Sequence, residues 1–252
     1  MNYPKILYDN RLGDAAPVAS STAAGNFDVL NLRDFQPFTW WQPAAMPATV
    51  RVDCGAAAAA DYALVWGHDL GTQGATLNVR RSPGGTWAGA DDVLVATKTP
   101  ADDKPFLIEF AAPDTQHWGI EVTGATAPSL AIAAIGAALE MPSGLREGFD
   151  PVGRVPMGGV NRSVKGNPVG GNVDYEEWSQ SLSFEFVAWD WFRSAWVPAW
   201  EAHLRGDPFV FAWDPAGHPG ELYLVNTVGG FKGPHSAGSV GNLQFDLAGL
   251  VS

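Results

Sequence analysis

The sequence predicts a mainly β protein in two domains, and three observations predict it. Twenty-nine glycines and nineteen prolines are spread along 252 residues and cut the chain into short segments. Between them run apolar stretches that alternate with polar residues, the period of a strand with one dry face. The 46% of hydrophobic residues suffices for a packed core without disulfide or metal staples. A single Cys54 cannot form an internal bridge, so it reads as a small packing residue at a strand end.

In the first half, strands are expected at residues 48–54, 61–66, 75–81, 93–98, 106–111, 117–123 and 130–139. Phe106-Leu107-Ile108-Glu109-Phe110 and Trp118-Gly119-Ile120-Glu121-Val122 carry the clearest period of two. Each sets a carboxylate on the wet face. Met141-Pro142-Ser143-Gly144 then breaks the pattern and places a domain boundary between 1–141 and 142–252.

The second half opens on a glycine-rich arm, residues 152–173, with six glycines, Arg154, Arg162 and Lys165, and no acid between Asp150 and Asp174. Without periodicity, it reads as a structureless segment that orders on contact with partners. Strands follow at 182–187, 209–213, 221–228 and 242–250. One helix is expected among them. Trp189, Phe192, Trp196, Trp200 and Leu204 recur every three or four residues, and Pro198 sets its regular part at about 197–205, before Gly206. Six of the eleven tryptophans lie between positions 178 and 213. That density argues for indoles at a subunit interface as well as in a core, which makes Trp189, Trp196 and Trp200, with the arm's three cations, the candidate interface residues.

A net charge of −12 is shared by both halves, so neither has the basic balance of a nucleic-acid binder or a polybasic membrane patch. The start, Met1-Asn2-Tyr3-Pro4-Lys5, lacks the apolar run of a secretory signal, and the 13-residue apolar stretch at 127–139 is too short to span a bilayer. Synthesis in the cytoplasm is expected, with no membrane insertion.

Catalytic motifs are not found. The five histidines form no HExxH pattern, and no two stand four apart. His68-Asp69 reads as a turn at a strand end. Gly238-Ser239-Val240-Gly241 has Ala237 where a nucleophile elbow needs glycine. The 158–171 loop with Lys165 lacks the Gly-Lys-Ser/Thr ending of a phosphate loop, and Asp91-Asp92 and Asp102-Asp103 read as solvated turns without calcium-loop spacing. No cofactor, metal site or catalytic residue is therefore expected.

Phe27-Asp28-Val29-Leu30-Asn31-Leu32-Arg33-Asp34, Thr39-Trp40-Trp41, Val52-Asp53-Cys54-Gly55 and Gly67-His68-Asp69-Leu70 resemble the discoidin-like (galactose-binding-like) jelly roll over about residues 20–140. This wording is also similar to domains in tail proteins of bacterial viruses. The order of the second half (arm, strand, helix, strands) resembles the tail-tube and distal-tail fold. The resemblance implies an N-terminal discoidin-like β-sandwich followed by a C-terminal β-sandwich or barrel with one flanking helix. It implies a non-enzymatic structural protein of a phage tail tip or baseplate, resident in the virion. Its partners would be copies of itself in a ring or small symmetric oligomer, and other tail proteins. Phe38, Trp40 and Trp41 form the candidate ligand face, a platform for a sugar ring or for a partner's side chain. The same rings would also serve as a plug for the open end of the sandwich. The alternatives are a carbohydrate-binding module for host-surface glycan and, further off, a polysaccharide hydrolase with carboxylates distant in sequence.

Overall fold

The computed structural model of the chain describes residues 3–14 and 17–251. The protein is mainly β. In chain order the strands are β1 (Lys5–Leu7), β2 (Pro17–Ser20), β3 (Ala48–Ala58), β4 (Tyr62–His68), β5 (Thr76–Ser82), β6 (Val93–Lys98), β7 (Phe106–Glu109) and β8 (Thr115–Thr123). They continue with β9 (Leu130–Gly136), β10 (Leu139–Glu140), β11 (Val155–Arg162), β12 (Pro168–Ala188), β13 (Phe209–Ala212), β14 (Leu222–Lys232), β15 (His235–Ala237) and β16 (Val240–Val251).

The chain divides into two compact units. One comprises residues 7–139 and 215–220, and the other residues 1–6, 140–214 and 221–252. Residues 3–6 and 215–220 thus each group apart from their neighbours in sequence. The N-terminal segment belongs to the second unit because β1 pairs into its sheet beside β10 and β13.

The first unit is a two-sheet sandwich. A five-stranded sheet runs β2-β3-β8-β5-β6, and a three-stranded sheet runs β7-β4-β9. Alternation explains the inner faces. Ala48, Val50 and Val52 of β3, Leu77 and Val79 of β5, and Trp118, Ile120 and Val122 of β8 point into one core. Ala63 and Val65 of β4 and Leu130, Ala133 and Ile135 of β9 close it from the other sheet. Every residue of β9 is buried, as its unbroken apolar run requires. Cys54 packs half-buried against this core.

The second unit holds an eight-stranded sheet in the order β10-β1-β13-β14-β16-β12-β11, with β15 paired to β16. Two sequence expectations need correction here. The helix begins at Trp189, eight residues before the expected start, and runs to Leu204. Pro198 is accommodated because the turns on either side, Phe192–Trp196 and Trp200–Leu204, are widened to π geometry. A wider turn relieves the clash of the proline ring with the preceding turn. The glycine-rich arm is not structureless. Its residues form a two-stranded ribbon in which β11 pairs antiparallel with the first half of β12. Glycines that hid the strand pattern let the two backbones approach: a Cβ on Gly158 would lie 1.9 Å from the Asn172 carbonyl oxygen.

Candidate functional site

The segment between β2 and β3 carries the aromatic turn. Asp28 caps a short helical turn, Val29–Leu32, by accepting a hydrogen bond from the Leu30 amide at 2.9 Å. That turn buries Val29 and Leu32 and leaves Leu30 outside. The returning chain is pinned at three places. The Ala24 amide donates to the Gln42 carbonyl (2.8 Å), the Asn31 side chain donates to the Trp40 carbonyl (2.8 Å), and Trp41 exchanges backbone bonds with Leu130 (2.8 and 3.0 Å).

This pinning decides which rings face water. Adjacent residues of an extended segment point to opposite sides, so Trp41 enters the core and Trp40 leaves it. Trp41 is 0% exposed and belongs to the sandwich core. As a member of the ligand face it is corrected: it offers no surface to a ligand. Phe38 is 71% exposed and Trp40 39%. The Trp40 indole lies on Phe27, with centroids 5.0 Å apart and planes 19° from parallel. Sequence reasoning missed Phe27 and Leu30. The capping Asp28 between an aromatic and a short apolar run was the available signal.

In the second unit the helix tryptophans Trp196 and Trp200 pack on aromatic rings of the sheet. Trp196 is 0% exposed and packs on Phe245 at 4.7 Å and edge-on to Phe231 at 5.8 Å. As an interface residue it too is corrected, because the helix turns it onto the sheet. Trp200 meets Phe231 at 4.9 Å, and Trp189 meets Phe192 at 5.2 Å, with the Arg193 guanidinium over its ring. Both are half-buried. Trp178 stacks on Tyr223 at 4.3 Å and donates its indole N–H to the Asp150 carbonyl. Arg154, Arg162 and Lys165 are all exposed, the first at the root of the ribbon and the others at its tip. Among the described residues none of the three pairs with a carboxylate.

The polar groups that suggested chemistry hold loops. His68 binds the Lys104 carbonyl through Nε2 and receives the Leu70 amide at Nδ1, and burial lowers its pKa. Asp91 accepts from the Ser82 hydroxyl, from the Thr86 hydroxyl and amide at 2.7 Å, and from the Gly84 amide. These bonds, the Ser82 hydroxyl first, hold its carboxyl well below the ordinary range. Asp103 is lowered likewise by the Thr72 hydroxyl and amide. Among the described residues no three metal-ligating side chains converge, and no helix is long and apolar enough to cross a membrane. The second unit also has a groove of about 620 Å³ lined by Phe149, Trp213, Arg146, Glu147 and Asp214, among others.

No family model and no curated protein matches the chain. Solved structures do resemble it. One is the C-terminal domain of a chitobiase from Bacteroides fragilis, at 10% identity over 53% of this chain and 99% of that one, with a TM-score of 0.43. Another is CpGH89CBM32-5 from Clostridium perfringens, in complex with GalNAc-β-1,3-galactose, at 11% identity over 51% of this chain and 99% of that one, TM-score 0.42. A third, SpGH29, is 17% identical over 52% of this chain and only 28% of its own length, TM-score 0.41. Carbohydrate-binding modules are thus among the structures this chain resembles.

Proposed function

We propose that the chain is a non-catalytic binding protein that holds a saccharide ring against Phe38 and Trp40 of its first unit. One observation carries this reading. Two aromatic rings stand out from a turn whose backbone is already pinned to β9 and to Asn31. One face of a pyranose is a layer of C–H bonds, and an aromatic ring gives it a flat apolar partner. Trp40, already stacked on Phe27, loses little conformational freedom when a ligand arrives. A glycan array tests the proposal. The wild-type chain gives hits that Trp40→Ala loses, and an array without hits removes the reading.

A second reading, a structural component of a phage tail tip that meets its own copies and other tail proteins, is favoured by the exposed ribbon of the second unit. Electron micrographs of the purified protein test it. Rings or small symmetric clusters support it, and single particles at every concentration remove it.

A further inference from the structure

The ribbon and the strand that continues it carry two features that the sugar site does not use. Cα partners across an antiparallel pair share a face, so the register assigns the faces. Val155 and Met157 lie opposite Glu177 and Tyr175. At the next step Gly158 lies opposite Val173, so β12 has one residue more than β11 at this point. Such a bulge shifts the alternation of β12 by one residue. Val160 and Val173 therefore share a face with Gly158 and Gly171, away from Met157 and Tyr175. There the strands enclose a hollow of about 260 Å³, lined by Pro156, Val160, Val173 and the glycines 158, 159 and 171, with Asn172. Gly158 leaves no room for a side chain of its own, since its Cβ would collide with the Asn172 carbonyl. Val160 is 65% and Val173 62% exposed. The hollow is apolar, and its rim faces solvent.

Phe186 is the second feature. It sits where β12 and β16 again lose register, between Phe184 and Val187, at φ 58° with 73% of its surface exposed. A left-handed backbone is unfavourable for an aromatic residue, and no burial of the ring compensates it within the chain. The ring is held out as a knob. It cannot reach its own chain's hollow. Residues 173 and 186 lie on one continuous strand, and at roughly 3.3 Å per residue they are on the order of 40 Å apart.

We infer that Phe186 of one copy seats in the ribbon hollow of a second copy. This deepens the assembly reading above and rests on it. The volume suits a phenyl ring, and the charges agree. The outer part of the ribbon, residues 158–171, holds Arg162 and Lys165 and no acid, while all 27 acids lie outside it with the other 13 of the 15 bases; at the root, Arg154 is offset by Asp174, Glu176 and Glu177. A basic ribbon tip thus approaches an acidic body. Knob and hollow are different patches of the surface, so two copies can exchange knobs in a two-fold dimer, or the contact can run one way, head-to-tail, and generate a ring or a filament.

Sedimentation velocity on the full chain, with two variants, tests this. Phe186→Ala removes the knob and keeps the hollow; Val160→Trp fills the hollow and keeps the knob. Both positions are exposed, and unchanged thermal unfolding and near-ultraviolet circular dichroism confirm the fold. Wild type associates with rising concentration, and each variant alone weakens association by about 30-fold or more, the effect of losing a hot-spot residue. An equimolar mixture of the two variants restores one contact and stops at a heterodimer. Association of either variant at wild-type strength, or a mixture that stays monomeric, overturns the knob-and-hollow contact while leaving the assembly reading in place. A wild-type chain that stays monomeric at all concentrations overturns both.

Discussion

Trp40 rests on Phe27 at a centroid distance of 5.0 Å, while the next residue, Trp41, has no exposed surface. The two neighbouring indoles thus do different work. Removing the outer ring loses one aromatic pair, so Trp40→Ala is expected to cost about 1 kcal/mol of stability. Trp41→Ala opens a cavity in the sandwich core and is expected to cost about 3–5 kcal/mol. Urea unfolding of the two variants checks the difference. Equal losses contradict the assignment of one ring to the surface and the other to the core.

The Asp91 carboxylate ties Ser82, Gly84 and Thr86 into one turn, and the pH dependence of stability reports it. Its folded-state pKa is depressed, chiefly by the Ser82 hydroxyl. The stabilisation is therefore fully present above the unfolded value of about 3.9 and is lost as pH falls toward the folded one. Wild type is expected to melt above Asp91→Asn by a constant margin from about pH 5 upward, narrowing below about pH 4. Melting curves between pH 2 and 7 check this, and a margin that widens on acidification contradicts it.

Phe186 holds a left-handed backbone with little packing in return. Glycine adopts that conformation freely, so Phe186→Gly is expected to stabilise the isolated chain by up to about 1 kcal/mol. Chemical denaturation at a dilution that keeps the chain monomeric measures it. A loss of more than about 1 kcal/mol would mean that the ring packs within its own chain.

Strands with a clean period of two were legible in the sequence. The expectation at 93–98 coincides with β6, and 117–123 lies within β8. The ribbon was not legible, because glycines at 158, 159, 170 and 171 carry no side chains to alternate and two register shifts break the phase that remains. The helix start was misplaced because proline was read as a first-turn residue, whereas widened turns admit it inside. At the aromatic turn, composition located the rings and could not orient them. Which of Trp40 and Trp41 faces water depends on the backbone bonds of Trp41 to Leu130, nearly ninety residues away in sequence.

Indole N–H resonances test the central claim most directly. The chain has eleven tryptophans, each with one such signal. Titration with a saccharide drawn from the array hits is expected to move the Trp40 signal, identified by its absence in Trp40→Phe, and to leave buried Trp41 and Trp118 in place. Saturating shifts at Trp213, in the groove of the second unit, with Trp40 unmoved would contradict the account.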